Sequence, residues 1–237
     1  MNSQNPNSII CLSGWAQKHD SLGIIFNYHK FTSSYQIQCL DYSRFNSLDL
    51  FFNELEKYQN CEIAVGWSMG GQLLIRSIVK KIIKPKYLIL IAPPFQMLKD
   101  HRISSGMPLE LYQKVQLALN QNSTFFLRDF LALMAKNDRN SREIIRDLAV
   151  EENNFHNLKF WYEQLCGFSC FDLDLNLLPK TLYFHGFGDA VVHVSQKDYF
   201  KKRIKNFKEI IFEKSGHTPH ISHLQEIRNA IEEFIAT

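Results

Sequence analysis

Long apolar runs are absent from this sequence. No stretch approaches the ~18 residues that a membrane-spanning helix requires, so no membrane-embedded role is expected. Residues Met1 to Asn7 are polar and uncharged, without the basic-then-apolar order of a secretory signal, and no signal peptide is expected there. An excess of one charge is also missing. The formal net charge is +3, too mild to indicate nucleic acid as a partner. Paired cysteine motifs are lacking. The five cysteines, Cys11, Cys39, Cys61, Cys166 and Cys170, are odd in number and contain no C-x-x-C spacing. They read as buried free thiols in a reducing compartment, and a cytoplasmic location is expected. No helix carries two histidines beside a Glu or Cys set, so neither a metal nor a cofactor is expected. Internal repeats and low-complexity tracts are also absent.

What remains is a globular composition, 45% hydrophobic and 22% charged, long enough at 237 residues for one sizeable core. The 19 Phe suggest a thick core or an apolar pocket. Along the chain, short apolar runs alternate with helical patterns. Ser8–Ser13, Tyr35–Asp41, Cys61–Gly66 and Tyr87–Ala92 read as strands. Leu48–Tyr58 and Met69–Ile83 read as helices, the second with an apolar stripe of Leu73, Leu74, Ile78 and Ile82 and a stop at Pro85. This alternation predicts βαβ units and a parallel sheet.

Between about Phe95 and Leu175 the rhythm changes to helices alone: Leu109–Leu119, Thr124–Ala135, Ser141–Glu151 and Asn157–Leu165, with Ser141 and Asn122/Ser123 as N-cap candidates. Strand patterns resume at Lys180–His185 and Lys208–Glu213, and helical ones at Ser195–Ile204 and Ser222–Ile235. The division expected is a core of residues 1–94 and 176–237, interrupted by a helical lid over 95–175. The basic run Lys201-Lys202-Arg203-Ile204-Lys205 reads as a solvated helix face.

The chemistry begins at Gly66-Trp67-Ser68-Met69-Gly70, with Gly71 behind. This is G-x-S-x-G with a strand before it and a helix after it, the context of a nucleophile elbow. Glycines two residues either side of the serine let the backbone turn sharply where bulkier side chains would collide. Such a turn lifts Ser68 above the carboxyl edge of the sheet and aims the Met69 N–H at a developing oxyanion. The reading is an α/β-hydrolase fold: a mostly parallel central sheet with an inserted helical lid. A structural alternative is a plain Gly-rich strand–helix turn.

A serine hydroxyl near neutral pH needs a base. In this fold the chain order is serine, acid, histidine. His217, in Lys214-Ser215-Gly216-His217-Thr218-Pro219, follows the last strand and is the base candidate. Asp189, in the turn after Lys180–His185, is the acid that would orient it, in preference to Asp172 and Asp174. His220 and His223 read as residues that pack or cap the closing helix. The loop Ser13-Gly14-Trp15-Ala16 supplies the second oxyanion donor, the Trp15 N–H.

Taken together, Gly14-Trp15, Gly66 to Gly71, Gly188-Asp189-Ala190-Val191-Val192 and Gly216-His217-Thr218-Pro219-His220-Ile221-Ser222-His223 resemble the pimeloyl-acyl-carrier-protein methyl ester esterases of biotin synthesis. Asp129-Phe130-Leu131-Ala132-Leu133 and Ser141 to Arg146 are similar to lid segments of that family. The resemblance implies hydrolysis of a methyl ester carried by an acyl carrier protein. It implies that Trp15, Trp67, Met69 and Phe130 line the acyl channel, and that Arg142 and Arg146, on one helix face, dock the acidic carrier, with Lys136 and Arg139 beside them. A general carboxylesterase or thioesterase, and a non-catalytic binding protein of the same fold, are the alternatives.

Overall fold

The computed structural model describes residues 7–121, 125–148 and 157–236. The proposed cap pair Asn122/Ser123, the first residues of the chain and the end of the third lid helix lie outside them. In chain order the elements are β1 (Ser8–Leu12), α1 (Gly23–Phe26), α2 (His29–Thr32), β2 (Gln36–Cys39), α3 (Leu48–Leu55), β3 (Ile63–Trp67), α4 (Met69–Val79) and β4 (Tyr87–Ile91). Then come α5 (Leu109–Asn120), α6 (Phe125–Met134), α7 (Ser141–Leu148), α8 (Leu158–Gly167), β5 (Lys180–Gly186), α9 (Lys197–Lys201), β6 (Phe207–Phe212), α10 (Pro219–Ser222) and α11 (Leu224–Ile235). Among the described residues, no helix is long and apolar enough to cross a membrane.

The six strands form one sheet in the order β2-β1-β3-β4-β5-β6. Every pairing is parallel, with registers such as Cys11↔Val65, Val65↔Ile89, Ile89↔Leu182 and Leu182↔Lys208. A parallel sheet is covered on both faces. The inner strands β1, β3 and β4 are accordingly apolar and buried along almost their whole length. Alternation along each strand divides the core in two. Ile10, Leu12, Ala64, Leu88, Leu90 and Tyr183 face α3 and α4. Ile9, Val65, Trp67, Ile89, Ile91 and Phe184 face α1, α2 and α11. Full burial of each large aliphatic side chain contributes roughly 1.5–3 kcal/mol.

Two expected helices differ in extent, and two short ones were not expected. The helix expected to run to Ile83 ends at Val79, because the Lys81 backbone turns to φ 61° and its N–H bonds back to Ile78 O at 2.9 Å. The closing helix is broken at His223 into α10 and α11. The short helices α1 and α2, between β1 and β2, carry too few turns to show a period.

The order of the sheet positions the site. β1 has β2 on one side and β3 on the other, so the loops leaving the carboxyl ends of β1 and β3 diverge and open a crevice there. The helices α5–α8 lie in the chain between β4 and β5. Among the described residues, strand-like pairing in that stretch is confined to the isolated bridges Gln96↔Ser169 and Leu98↔Met107.

Candidate active site

Ser68 sits between β3 and α4 with φ 52° and ψ −119°, a conformation that L-residues rarely adopt. Its own N–H is held by Ile91 O at 2.8 Å, which ties the turn to β4. The flanking glycines are required by contact. A Cβ on Gly66 would stand 2.5 Å from Gly71 N, and one on Gly70 only 1.9 Å from Leu12 O. The start of α4 is therefore pressed against the end of β1. Met69 is the first residue of α4, in the turn whose N–H groups have no intrahelical acceptor. Its side chain packs into the core on the α4 face of the sheet and, against the channel role expected for it, is not among the residues lining the cavity at Ser68.

The Ser13–Ala16 loop passes directly beside the serine. A methyl group at Gly14 would lie 3.5 Å from Ser68 Cβ. Trp15 is buried and anchored by Nε1–H donating to Leu158 O at 3.0 Å. Its ring packs against Phe130 at 5.4 Å and Tyr162 at 5.1 Å.

Asp189 and His217 come from the loops after β5 and β6. His217 Nδ1 lies 2.7 Å from Asp189 Oδ2, with both side chains buried. The second carboxylate oxygen, Oδ1, accepts from the Val191 and Val192 amides at 2.8 and 2.9 Å. Burial by itself would raise the Asp189 pKa. The positive charge of His217 and hydrogen bonds from His185 and His217 outweigh burial and hold the carboxyl well below the usual range. Among the described residues, His217 Nε2 is buried and has no hydrogen-bond partner, the Ser68 hydroxyl included. Hydrogen bonds of this kind tighten on substrate binding in many hydrolases.

His185 belongs to no motif in the sequence. Its Nε2 is 3.0 Å from Asp189 Oδ2 and 2.9 Å from Val192 O, and its Nδ1 is 2.5 Å from the Tyr183 hydroxyl. With its proton on Nε2 it donates toward the acid loop and accepts from Tyr183. The only signal in the sequence is the i, i+2 spacing of Tyr183 and His185 on one face of β5.

Trp67 is a second correction. It does not line the cavity. Its side chain leaves β3 on the face toward α11, where Nε1–H donates to His217 O at 2.9 Å and the ring packs on His220 at 4.4 Å between centroids. It braces the His217 loop from behind. His220 is fully buried beside it and has no hydrogen-bond partner on either ring nitrogen.

Above Ser68 opens a cavity of about 610 Å³. Its wall is mostly apolar, with Trp15, Met97, Met107, Leu111, Phe130 and Leu133 among its residues. Lys114, Asp129 and His193 add charge or polarity at its edge. Phe130 is part of that wall. Arg142 and Arg146 are exposed on α7, whose Ile144 and Leu148 are buried against the α11 side of the core. No residue of α7 lines the cavity, and Arg146 Nε lies 3.5 Å from Asp147. Among the described residues, no group of three or more His, Cys, Asp or Glu stands where it could hold a metal ion.

No family model matches the sequence. Individual relatives do. A pimeloyl-[acyl-carrier protein] methyl ester esterase of Legionella pneumophila is 24% identical over 183 residues, covering 77% of this chain and 74% of that protein. One from Shewanella woodyi is 21% identical over 242 residues, covering 96% and 93%. Among solved structures, an esterase from Exiguobacterium antarcticum superposes with a TM-score of 0.83 at 15% identity, covering 98% of this chain and 92% of that one. A bromoperoxidase from Bacillus anthracis does so at 0.75 and 16%, covering 98% and 92%. The chain is an α/β-hydrolase by fold, similar in sequence to the pimeloyl-[acyl-carrier protein] methyl ester esterases.

Proposed function

We propose that the chain is a serine carboxylesterase that cleaves the methyl ester of pimeloyl-acyl carrier protein, releasing methanol and the free acid in biotin synthesis. The observation that supports the esterase reading is the buried 2.7 Å pair of His217 and Asp189, together with a Ser68 held at φ 52° in the wall of an apolar cavity that Asp189 also lines.

Ser68 Oγ attacks the ester carbonyl as its proton passes to His217 Nε2. Asp189 keeps the imidazole in the Nδ1–H tautomer and steadies its positive form. The Met69 and Trp15 amides donate to the oxyanion. The tetrahedral intermediate collapses, and His217 returns the proton to methoxide, which leaves as methanol. Water then gives a proton to His217 while its oxygen attacks the acyl-serine. Collapse restores the Ser68 hydroxyl and frees the carboxylate.

The polymethylene chain of a pimeloyl group suits the apolar wall, each buried methylene contributing about 0.8 kcal/mol. The relatives' names supply the carrier protein as the thing attached to the acyl chain. In this reading α5–α8 act as the lid over residues 95–175, and Arg142 and Arg146, with exposed Lys136 and Arg139, form the docking face. A cytoplasmic site of action agrees with five cysteines that are all free thiols.

A broader carboxylesterase or thioesterase is the second reading. It is favoured by one observation: α7 stands away from the cavity, and Glu143 and Asp147 balance its two arginines. Methanol release from pimeloyl-carrier-protein methyl ester decides between them, measured for wild type and for Arg142→Glu/Arg146→Glu. Release that drops in the variant while p-nitrophenyl butyrate hydrolysis is unchanged supports the carrier reading. Hydrolysis of the small ester without any methanol release supports the broader one. A chain whose Ser68 resists a fluorophosphonate probe is no serine hydrolase.

A further inference from the structure

The loops that carry the acid and the base are tied to one short stretch of the helical insert, Met134 to Asp138. The His217 N–H donates to Met134 O at 3.0 Å. Asn137 Nδ2–H donates to Gly188 O at 2.7 Å, one residue before Asp189. The approach is close enough to dictate glycine in both loops. A Cβ on Gly216 would lie 2.3 Å from Lys136 O, and one on Gly188 would lie 2.7 Å from Asn137 Cβ.

At the centre of this contact is Asp138, a carboxylate only 7% exposed. Its two oxygens are divided between the hydroxyls on either side of the base. Ser215 Oγ–H donates to Oδ1 and Thr218 Oγ1–H to Oδ2, each at 2.9 Å. Ser215 Oγ also lies 3.0 Å from Ser222 Oγ, which extends the tie to α10. A buried carboxylate accepts strong hydrogen bonds and is costly to leave unpaired. It fixes the positions of both hydroxyls, and His217 lies between them in the chain.

We propose that Asp138 is a positioning residue for His217. It spans the base loop from residue 215 to residue 218 and makes the alignment of the imidazole depend on the insert being seated. The inference rests on the esterase reading for its kinetic consequence, while its structural part can be read without substrate.

The test compares wild type with Asp138→Ala and Asp138→Asn, using p-nitrophenyl butyrate turnover, thermal unfolding, and the downfield proton resonance of His217 Nδ1–H. In Asp138→Ala, kcat is expected to fall about 10- to 100-fold, the effect of misplacing a catalytic group by about 1 Å. KM should stay within about two-fold, and the Nδ1 proton resonance should shift or broaden. Asp138→Asn keeps the shape, and the two hydroxyls can rotate to suit an amide, so it should recover most of the rate. A folded Asp138→Ala protein with wild-type kcat and an unmoved resonance overturns the proposal. If that variant does not fold, Ser215→Ala/Thr218→Val removes the same two bonds from the other side, and wild-type kcat there overturns it. A wild-type protein inert toward every ester refutes the esterase reading instead. The resonance then decides: unmoved in Asp138→Ala, it overturns the positioning role as well.

Discussion

His185 and His217 converge on a single oxygen atom, Oδ2 of Asp189, at 3.0 and 2.7 Å. Asp189 is held by two buried imidazoles and two backbone amides. His185 is in turn fixed by Tyr183. The sequence Tyr183–His185–Asp189–His217 is thus a continuous buried polar chain, and such networks act as units rather than as sums of pairs.

Removing His185 should therefore disturb both stability and rate. His185→Leu leaves the Tyr183 hydroxyl and Val192 O without their partner, at a cost of about 1–3 kcal/mol each at most. A lower melting temperature and a kcat reduced roughly 10-fold with KM little changed are expected. Wild-type values for both quantities would show that the second histidine is a bystander.

Ser68 stores strain in the folded chain. A non-glycine residue at φ 52° and ψ −119° is disfavoured by about 1–3 kcal/mol. Glycine adopts that conformation without the penalty, so Ser68→Gly should raise the unfolding free energy by about 1 kcal/mol while abolishing ester hydrolysis. Denaturant titration of the two proteins measures it. A variant less stable than wild type would remove strain as the explanation of the backbone angles.

His220 should make the protein acid-sensitive. Burial lowers its pKa from 6.5 to about 3, and the neighbouring His217 adds to the shift. Above pH 6.5 the imidazole is neutral folded or unfolded and contributes no pH dependence. As pH falls from 6.5 toward 3 the unfolded chain takes up a proton that the folded one refuses, and stability is lost across that window. His220→Phe, which keeps an aromatic ring against Trp67, should flatten this part of the stability–pH curve. It should also add about 1–2 kcal/mol at neutral pH by eliminating two unpaired buried nitrogens. Parallel curves for variant and wild type would count against a buried neutral imidazole.

The parts of this architecture that follow from local chemistry were open to reading along the chain. β1, β3 and β4 announce themselves as apolar runs, because a central parallel strand is covered on both faces. Ser68, Asp189 and His217 are marked by strand–turn contexts in a fixed order. What was not legible depends on register and on distant partners. The motif around Trp67 does not say on which side of the sheet its ring emerges, and the ring went to the back of the base rather than to the cavity. His185 gains its meaning only once β5 places it level with the following loop. The ties from Asp138 to Ser215 and Thr218 span 77 and 80 residues, beyond any local pattern.

The strand order β2-β1-β3-β4-β5-β6 also separates the chemistry in time. A ribosome extrudes Ser68 and the loop at Trp15 well before Asp189 and His217, at roughly 5–20 residues per second. The four strands at the β2 side of the sheet can pair before the loops of Asp189 and His217, the proposed acid and base, have been made. In the proposed mechanism, hydrolysis has to wait until β5 and then β6 join the far edge and deliver Asp189 and His217.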